Sequence, residues 1–319
     1  MLLRPEALHI PDGFLTPLVA AVGWALAVLL ILTALRQTQR QLGERQVPLM
    51  GVLAAFIFAA QAINFPVAAG TSGHLMGGAL AAIVLGPWAA TLIMTAVIAV
   101  QGLLFQDGGL LVMGWNILNM GVFTAFSGYF VYRLVQRVAG SGGAARMAGA
   151  FAGAWVSVEV GATATAVELA VSGTSPLSFA LPAMAAVHAL IGVGEGLITA
   201  GALASLTATR PEVVRSGQVA PGRRGAGFVL VGLLAALLVA ALSPLASPHP
   251  DGLEAVAQAQ GFLSSGRSAP FEILPGYLLP SIDNPGVATL AAVGLGTLLV
   301  FVVAVIVGRV AARRTIDTK

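Results

Sequence analysis

The sequence predicts an all-α fold: a polytopic membrane helical bundle of seven segments followed by a two-helix C-terminal module. Three observations carry this. The chain of 319 residues is 57% hydrophobic and only 9% charged, with a mean hydropathy of +0.91. Soluble domains carry about a quarter charged residues, so this chain lacks the charge to cover a water-facing surface. Apolar runs of the ~20 residues that a membrane helix needs recur along the chain. The basic residues fall between those runs, almost all on one side. Together these exclude a soluble enzyme, a disordered chain and a coiled coil.

The runs are read in order. The first spans 14–35 and ends at Arg36; the second spans 47–65 and is closed by Pro66. The apolar stretch 74–105 is too long for one helix and is interrupted by Gly86-Pro87, an expected break. It reads as a short helix over 74–85, not necessarily spanning, and a full one over 87–105. Further spans are 112–132, 147–171, 180–208, 226–246 and 287–308. The polar stretch 209–225, with Arg210, Arg215, Arg223 and Arg224, is the one clear boundary and reads as a cytoplasmic linker. The module beyond it, 226–319, carries an external loop over 247–286.

If these nine segments alternate sides, 14 of the 16 basic residues share one face, and only Arg4 and Arg267 lie on the other. The positive-inside rule puts the rich face in the cytoplasm. The expectation is a multi-pass protein of the cell (inner) membrane, with the N-terminus outside and the C-terminus cytoplasmic. The start does not read as a signal peptide, because Pro5, Glu6 and a polar His9–Gly13 segment precede the apolar run. The pI near 9.9 comes from short-loop arginines and does not indicate nucleic-acid binding. Cys is absent, which removes disulfides, thiolate metal sites and a Cys nucleophile. No P-loop pattern occurs and the only Lys is Lys319, so an ATP-driven process needs its engine on another polypeptide. No nucleophile elbow or triad is recognisable, and the chain is not expected to be an enzyme.

Ionisable residues inside membrane spans are costly and mark candidate sites. Here they are Glu159, Glu168, His188 and Glu195. Hydrogen bonding between helices and a proton relay are both open to the carboxylates; His188 and Glu195 are assigned to hydrogen bonding within the bundle. The amides Asn64, Gln101, Asn116 and Asn119 read as packing and supporting groups. His9 and His74 differ, because both lie on the outer side. The glycines of Gly70-Thr71-Ser72-Gly73-His74 let backbone approach closely. Two such histidines without any Cys allow an all-nitrogen metal site, and imidazole suits Ni, Cu, Zn and Co. Their spacing is not in itself a metal motif.

Several segments resemble one family. They are His9-Ile-Pro-Asp-Gly-Phe-Leu15, Asn64-Phe-Pro-Val67, Gly70-Thr-Ser-Gly-His-Leu75, Gln101-Gly-Leu-Leu-Phe-Gln-Asp-Gly-Gly109, Asn116-Ile-Leu-Asn-Met-Gly121 and His188–Gly196. In this order, over 8–208, they are similar to the CbiM/NikM proteins. These are the substrate-specific (S) components of energy-coupling factor (ECF) transporters for cobalt and nickel. Residues 226–311 resemble the two-helix CbiN/NikN partner, here fused, and Ser247-Pro-His-Pro-Asp-Gly-Leu-Glu254 resembles its PDGLE-type version.

The resemblance implies a metal held by a terminal amine, the next amide nitrogen, that residue's imidazole and a second His. By position these are Leu8, His9 and His74, with Asn64, Gln101 and Asn119 in support and His249, Asp251 and Glu254 in the module loop. Amine and amide close a five-membered chelate ring, and amide and imidazole a six-membered one. Four nitrogens in a plane favour Ni(II) or Cu(II), with cobalt in the family's range. One departure stands out: Leu8 is internal and has no free amine. The expected native start is Leu8 itself, at a leucine-type start codon read as Met, which makes residues 1–7 a non-native extension. With those residues retained, water or His249 would fill the first position.

The implied function is capture of Ni2+ or Co2+ outside the cell. Uptake would be driven by a CbiQ/NikQ-like transmembrane coupling subunit and CbiO/NikO-like ATPase subunits, all at the lipid bilayer. Small-residue pairs Ala21/Ala25 and Gly23/Ala27 offer a docking face or ordinary packing. The competing class is a stand-alone proton-coupled metal permease, with Glu159, Glu168 or Glu195 on a water path. A vitamin-specific S component shares the scaffold but leaves His9 and His74 without a purpose.

Overall fold

The computed structural model describes residues 9–68, 70–216, 219 and 222–312. Leu8 and the 1–7 extension therefore lie outside the described residues. The fold is an all-α membrane bundle. Helix α1 is Pro17–Gln41, α2 Val47–Gln61, α3 Gly78–Leu85, α4 Pro87–Val100, α5 Met113–Ile117, α6 Thr124–Ala139, α7 Gly143–Val171 and α8 Leu177–Thr209. Beyond them are α9 Pro211–Ser216, α10 Arg223–Ala240, α11 Gly252–Gln260 and α12 Pro285–Ala312. Among the described residues six helices are long and apolar enough to cross a membrane. The remaining expected segments are present as the shorter α2 and α3 and the α5–α6 run.

The departures from the expected bounds have local causes. α2 stops at Gln61 rather than 65, because Pro66 biases Phe65 towards extended backbone. There Phe65-Pro66 (β1) pairs antiparallel with Ser72-Gly73 (β2). α1 begins at Pro17, which suits a first helical position. Phe14 is instead buried in the preceding loop, edge-on to Phe262 at 5.0 Å. α4 continues as a π-helical turn over Gln101–Phe105, and a second π turn, Leu118–Phe123, joins α5 to α6. Both π turns carry an amide named above, Gln101 or Asn119, as such turns often do at functional sites. Two short helices had no periodic signal: α9, inside the polar linker, and α11, inside the external loop.

The core surrounds α3. This helix is buried over most of its length and packs on α4, α6, α7 and α8. α7 pairs closely with α6 and α8, while α10 and α12 both pack on α2. Glycines set how near the helices come. A side-chain carbon at Gly296 of α12 would stand 2.4 Å from Phe58 and 2.6 Å from Phe105. On α1, Gly23 meets Trp115 and Ala27 is buried, so this pair is internal packing; Ala21 and Ala25 are exposed. The loops after α2, α4, α7 and α10 meet residues 9–16 at one end of the bundle. Arg36, Arg40, Arg45, Arg133, Arg137, Arg146, Arg210 and Arg309 lie at the opposite helix ends.

The Gly296 contact gives a direct test. Gly296→Val is expected to force α12 away from Phe58 and Phe105, at the cost of about 1–3 kcal/mol typical of overpacking. A thermal melt in detergent checks it: an unchanged midpoint contradicts this packing.

Candidate metal centre

Residues 9–13 form no regular structure, so their backbone groups need partners from elsewhere. Asn116 supplies two: its Oδ1 accepts from Ile10 N at 3.1 Å and its Nδ2 donates to Ile10 O at 3.1 Å. Gly109 N also donates to Ile10 O, at 2.9 Å. The Asp12 carboxylate accepts from the N–H groups of Leu110, Leu111 and Val112 at 2.9–3.3 Å. Arg267 N donates to Asp12 O at 2.7 Å. Gly13, at φ 93, lies so near Ser265 O that no side chain fits. His9 is thereby held rigidly, and is 3% exposed.

His74 is positioned by a different set. Glu195 of α8 accepts from Met76 N at 2.6 Å and Gly77 N at 2.9 Å. It thus caps α3, where helices leave donors unsatisfied and favour negative charge. Ser72 donates from its backbone N to Pro250 O at 2.8 Å and from its Oγ to His249 O at 2.8 Å. The 247–286 loop of the C-terminal region therefore pins the strand that precedes His74.

These two arrangements bring the imidazoles together. The ring centroids of His9 and His74 are 5.6 Å apart and inclined by 70°. His74 Nδ1 faces Leu75 O at 3.0 Å; a carbonyl can only accept, so Nδ1 carries the proton and Nε2 offers a lone pair. His9 Nδ1 faces Asp107 O at 3.3 Å and lies 3.5 Å from Asp107 Oδ1. Its buried Nε2 meets no hydrogen-bond partner among the described residues. Burial holds His9 below the usual imidazole range, with Asp107 opposing and His74 reinforcing the shift. A neutral ring is the form that binds metal. Both rings line a cavity of about 60 Å³ shared with Asn119, His188 and Asp251. At roughly 10–15 Å³ per water-sized group, that is space for an ion with a few small ligands.

The other expected residues divide. Asn119 lines the cavity and donates to Thr165 Oγ1 at 3.2 Å and Glu168 Oε2 at 3.0 Å. Gln101 lies away from it and donates to Tyr277 Oη at 3.1 Å. The backbone oxygen of Asn64 accepts from Ser247 N at 2.8 Å, and its side chain does not line the cavity. His249 is exposed and also outside the lining. Asp251 lines the cavity while capping α11, accepting from Glu254 N at 2.7 Å. The Glu254 side chain faces a separate outer pocket with Arg267 and Glu272. His188 has Nδ1 at 2.8 Å from Met184 O of its own helix, and its ring also lines the cavity.

Sequence reasoning missed Asp12, Asp107 and Tyr277. The polar Gln106-Asp107-Gly108-Gly109 turn was a usable signal for Asp107. Nothing local marks Tyr277, which arrives from 170 residues away.

Residues 9–213 match the family profile described as the cobalt uptake substrate-specific transmembrane region, CbiM. The chain belongs to the CbiM family. Its C-terminal residues 226–313 match the PDGLE domain. A putative fused nickel transport protein NikMN of Archaeoglobus fulgidus is 36% identical over 296 residues, 92% of this chain and 95% of that protein. The cobalt transport protein CbiM of Sorangium cellulosum is 36% identical over 227 residues, 67% of this chain and 99% of its own length. A crystal structure of a truncated transition metal transporter superposes with a TM-score of 0.57 at 33% identity, covering 63% of this chain and 98% of that one. The His9, His74 and Asn119 positions lie within the CbiM match, and Asp251 and Tyr277 within the PDGLE match.

Two outcomes follow from the capping carboxylates. Glu195→Ala strands the Met76 and Gly77 N–H groups, at about 1–3 kcal/mol for each buried donor; Glu195→Gln, which keeps an acceptor, loses less. Comparing their melting temperatures with that of the parent checks this. Burial pushes the Asp251 carboxyl up to about 7, with Asp107 adding to the shift. The folded chain therefore holds this proton more tightly than the unfolded one. The stability it contributes is complete below about pH 4, the usual carboxyl value, and declines as pH rises through about 7. Asp251→Asn keeps a good helix cap. It is expected to raise the melting temperature of the metal-free chain at pH 8 and give no gain at pH 5.

Proposed function

We propose that this chain is the substrate-binding S component of an ECF-type transporter and captures Ni2+ or Co2+ from outside the cell. The observation that carries this is the convergence of His9 and His74, buried and 5.6 Å apart between ring centroids. Each has one ring nitrogen opposite a carbonyl and the other outside those bonds. The relatives named as nickel and cobalt transport proteins agree with such a donor set. The face bearing this pair is outside and the arginine-rich face cytoplasmic, following the charge asymmetry.

In the proposed site the metal is cargo, held by four nitrogens: the amine of residue 8, the His9 amide, the His9 imidazole and the His74 imidazole. Only Nδ1 of His9 can close the six-membered ring with its own amide. In the metal-free structure this atom faces Asp107, so loading requires the ring to turn about Cβ–Cγ. His74 Nε2 completes the set, its ring fixed by the Leu75 carbonyl in the manner usual for metal-binding histidines. Asn119 and Asp251 line the chamber, while Asn64 and Gln101 support the surrounding loops.

Residues 8–208 form the S component, 209–225 the cytoplasmic linker and 226–319 a CbiN/NikN-like module that loads the site. The role is transport, not enzymatic chemistry. Uptake then takes a CbiQ/NikQ-like coupling subunit and CbiO/NikO-like ATPases. Of the carboxylates the permease reading draws on, Glu195 is engaged by two backbone N–H groups and Glu168 Oε2 by Asn119, while Glu159 Oε1 and Glu168 Oε1 meet no hydrogen-bond partner among the described residues.

The test is isothermal titration with NiCl2 and CoCl2 on the purified chain starting at residue 1 and at residue 8. The shorter form is expected to bind at least tenfold more tightly, and His9→Ala or His74→Ala in it to abolish binding. Equal affinity of the two forms removes the amine from the ligand set. Unchanged binding by both alanine variants overturns the site.

A further inference from the structure

We propose that Tyr277, in the external loop of the PDGLE region, is a positioning residue for the metal site, acting through Asp107 on the His9 ring. This rests on the reading of His9 as a metal ligand.

The contacts form one chain. Gln101 Nε2 donates to Tyr277 Oη at 3.1 Å, and Tyr277 Oη donates to Asp107 Oδ2 at 2.5 Å. The other carboxylate oxygen, Oδ1, lies 3.5 Å from His9 Nδ1, beside the Asp107 carbonyl that this nitrogen faces. Burial and the neighbouring carboxylate both push the Tyr277 phenol upward, so it remains a donor. Its ring stacks on Phe105 at 4.7 Å and 19°. Two residues along this chain hold a left-handed backbone without being glycine: Gln106 at φ 55 and Tyr277 at φ 58. Such conformations persist where the surroundings over-determine them. Here Tyr277 is set against the Asp107 carboxylate, while Gln106, the residue before Asp107, accepts from Ile273 N of the same C-terminal loop at 3.4 Å.

The geometry gives that carboxylate a purpose. A half-turn of an imidazole about Cβ–Cγ exchanges its two edges. When His9 turns to offer Nδ1 to the metal, Nε2–H comes round to the side that faced Asp107. Asp107 can thus accept a hydrogen bond from the His9 ring in both states, through its carbonyl in the structure shown and through its carboxylate after the turn. The carboxylate does so only if its own orientation is held, and Tyr277 Oη bonds its other oxygen. An outer partner of this kind fixes ring orientation and raises ligand basicity. The PDGLE region therefore reaches the metal through a hydrogen bond to a ligand's partner, without ligating.

The experiment is a double-mutant cycle on the full chain with Tyr277→Phe, Asp107→Ala and the pair. Tyr277→Phe keeps the stacked ring and removes only the hydroxyl. Each single variant is expected to weaken Ni(II) binding about tenfold, the lower end for outer-shell partners, and the pair by about the same tenfold rather than a hundredfold. In the metal-free chain, 15N-histidine NMR should show the His9 Nδ1 proton signal shifted in Tyr277→Phe and in Asp107→Ala. A packing role for Tyr277 would lower the melting temperature without moving that signal. An unmoved signal, or additive losses in the cycle, overturns the proposal. His9→Ala separates the two readings: if it binds Ni(II) like the parent while the signal still moves in Tyr277→Phe, the ligand assignment fails and the orienting link stands.

Discussion

Everything at the candidate centre depends on how an irregular segment, residues 9–13, is held at the end of an apolar bundle. A helix satisfies its own backbone; this segment cannot. Its groups are met by Asn116 on α5, by the 109–112 turn through Asp12, and by Arg267 of the C-terminal loop. Each bond is modest by itself, about 0.5–1.5 kcal/mol net, and the greater force is the cost of leaving any of them unmade. That cost makes the position of His9 a property of three distant elements rather than of its own neighbours. The His74 turn obeys the same rule, through Glu195 and the Ser72 contacts.

Three acidic residues consequently serve as acceptors for backbone N–H. Asp12, Glu195 and Asp251 each take one or more N–H groups at a turn or helix start. An intramembrane carboxylate is a default functional candidate, but Glu195 shows how its function can be to build a turn. Placing such acceptors around the cavity fixes its shape and leaves the proposed ligation to nitrogens.

The C-terminal region is integrated with the rest at two depths. Its helices α10 and α12 pack on α2, with Gly296 admitting Phe58 and Phe105. Its 247–286 loop supplies Pro250 and His249 carbonyls to Ser72, Asp251 to the cavity wall and Tyr277 to Asp107. Phe105 touches both levels, since it packs against Gly296 below and stacks on Tyr277 above. Proposed loading by this region thus has a physical route that does not require a ligand of its own.

The sequence by itself determined the membrane class and the order of the helical segments, and it named His9 and His74 as the candidate pair whose rings the structure brings to 5.6 Å. These follow from signals local in the chain: apolar runs, Pro and Gly breaks, charge between spans and short motifs. Of the supporting residues it named, Asn119 lines the cavity, Asn64 and His249 contribute backbone oxygens to the surrounding loops, and Gln101 bonds Tyr277. It gave no hint of α11 or of Tyr277. Only the tertiary structure decided these, because irregular loops have no period to read. Their geometry is set by partners far along the chain, such as Asn116 for Ile10, Glu195 for Met76 and Tyr277 for Asp107. Which polar atom meets which is a question of closure in three dimensions, and a linear pattern does not record it.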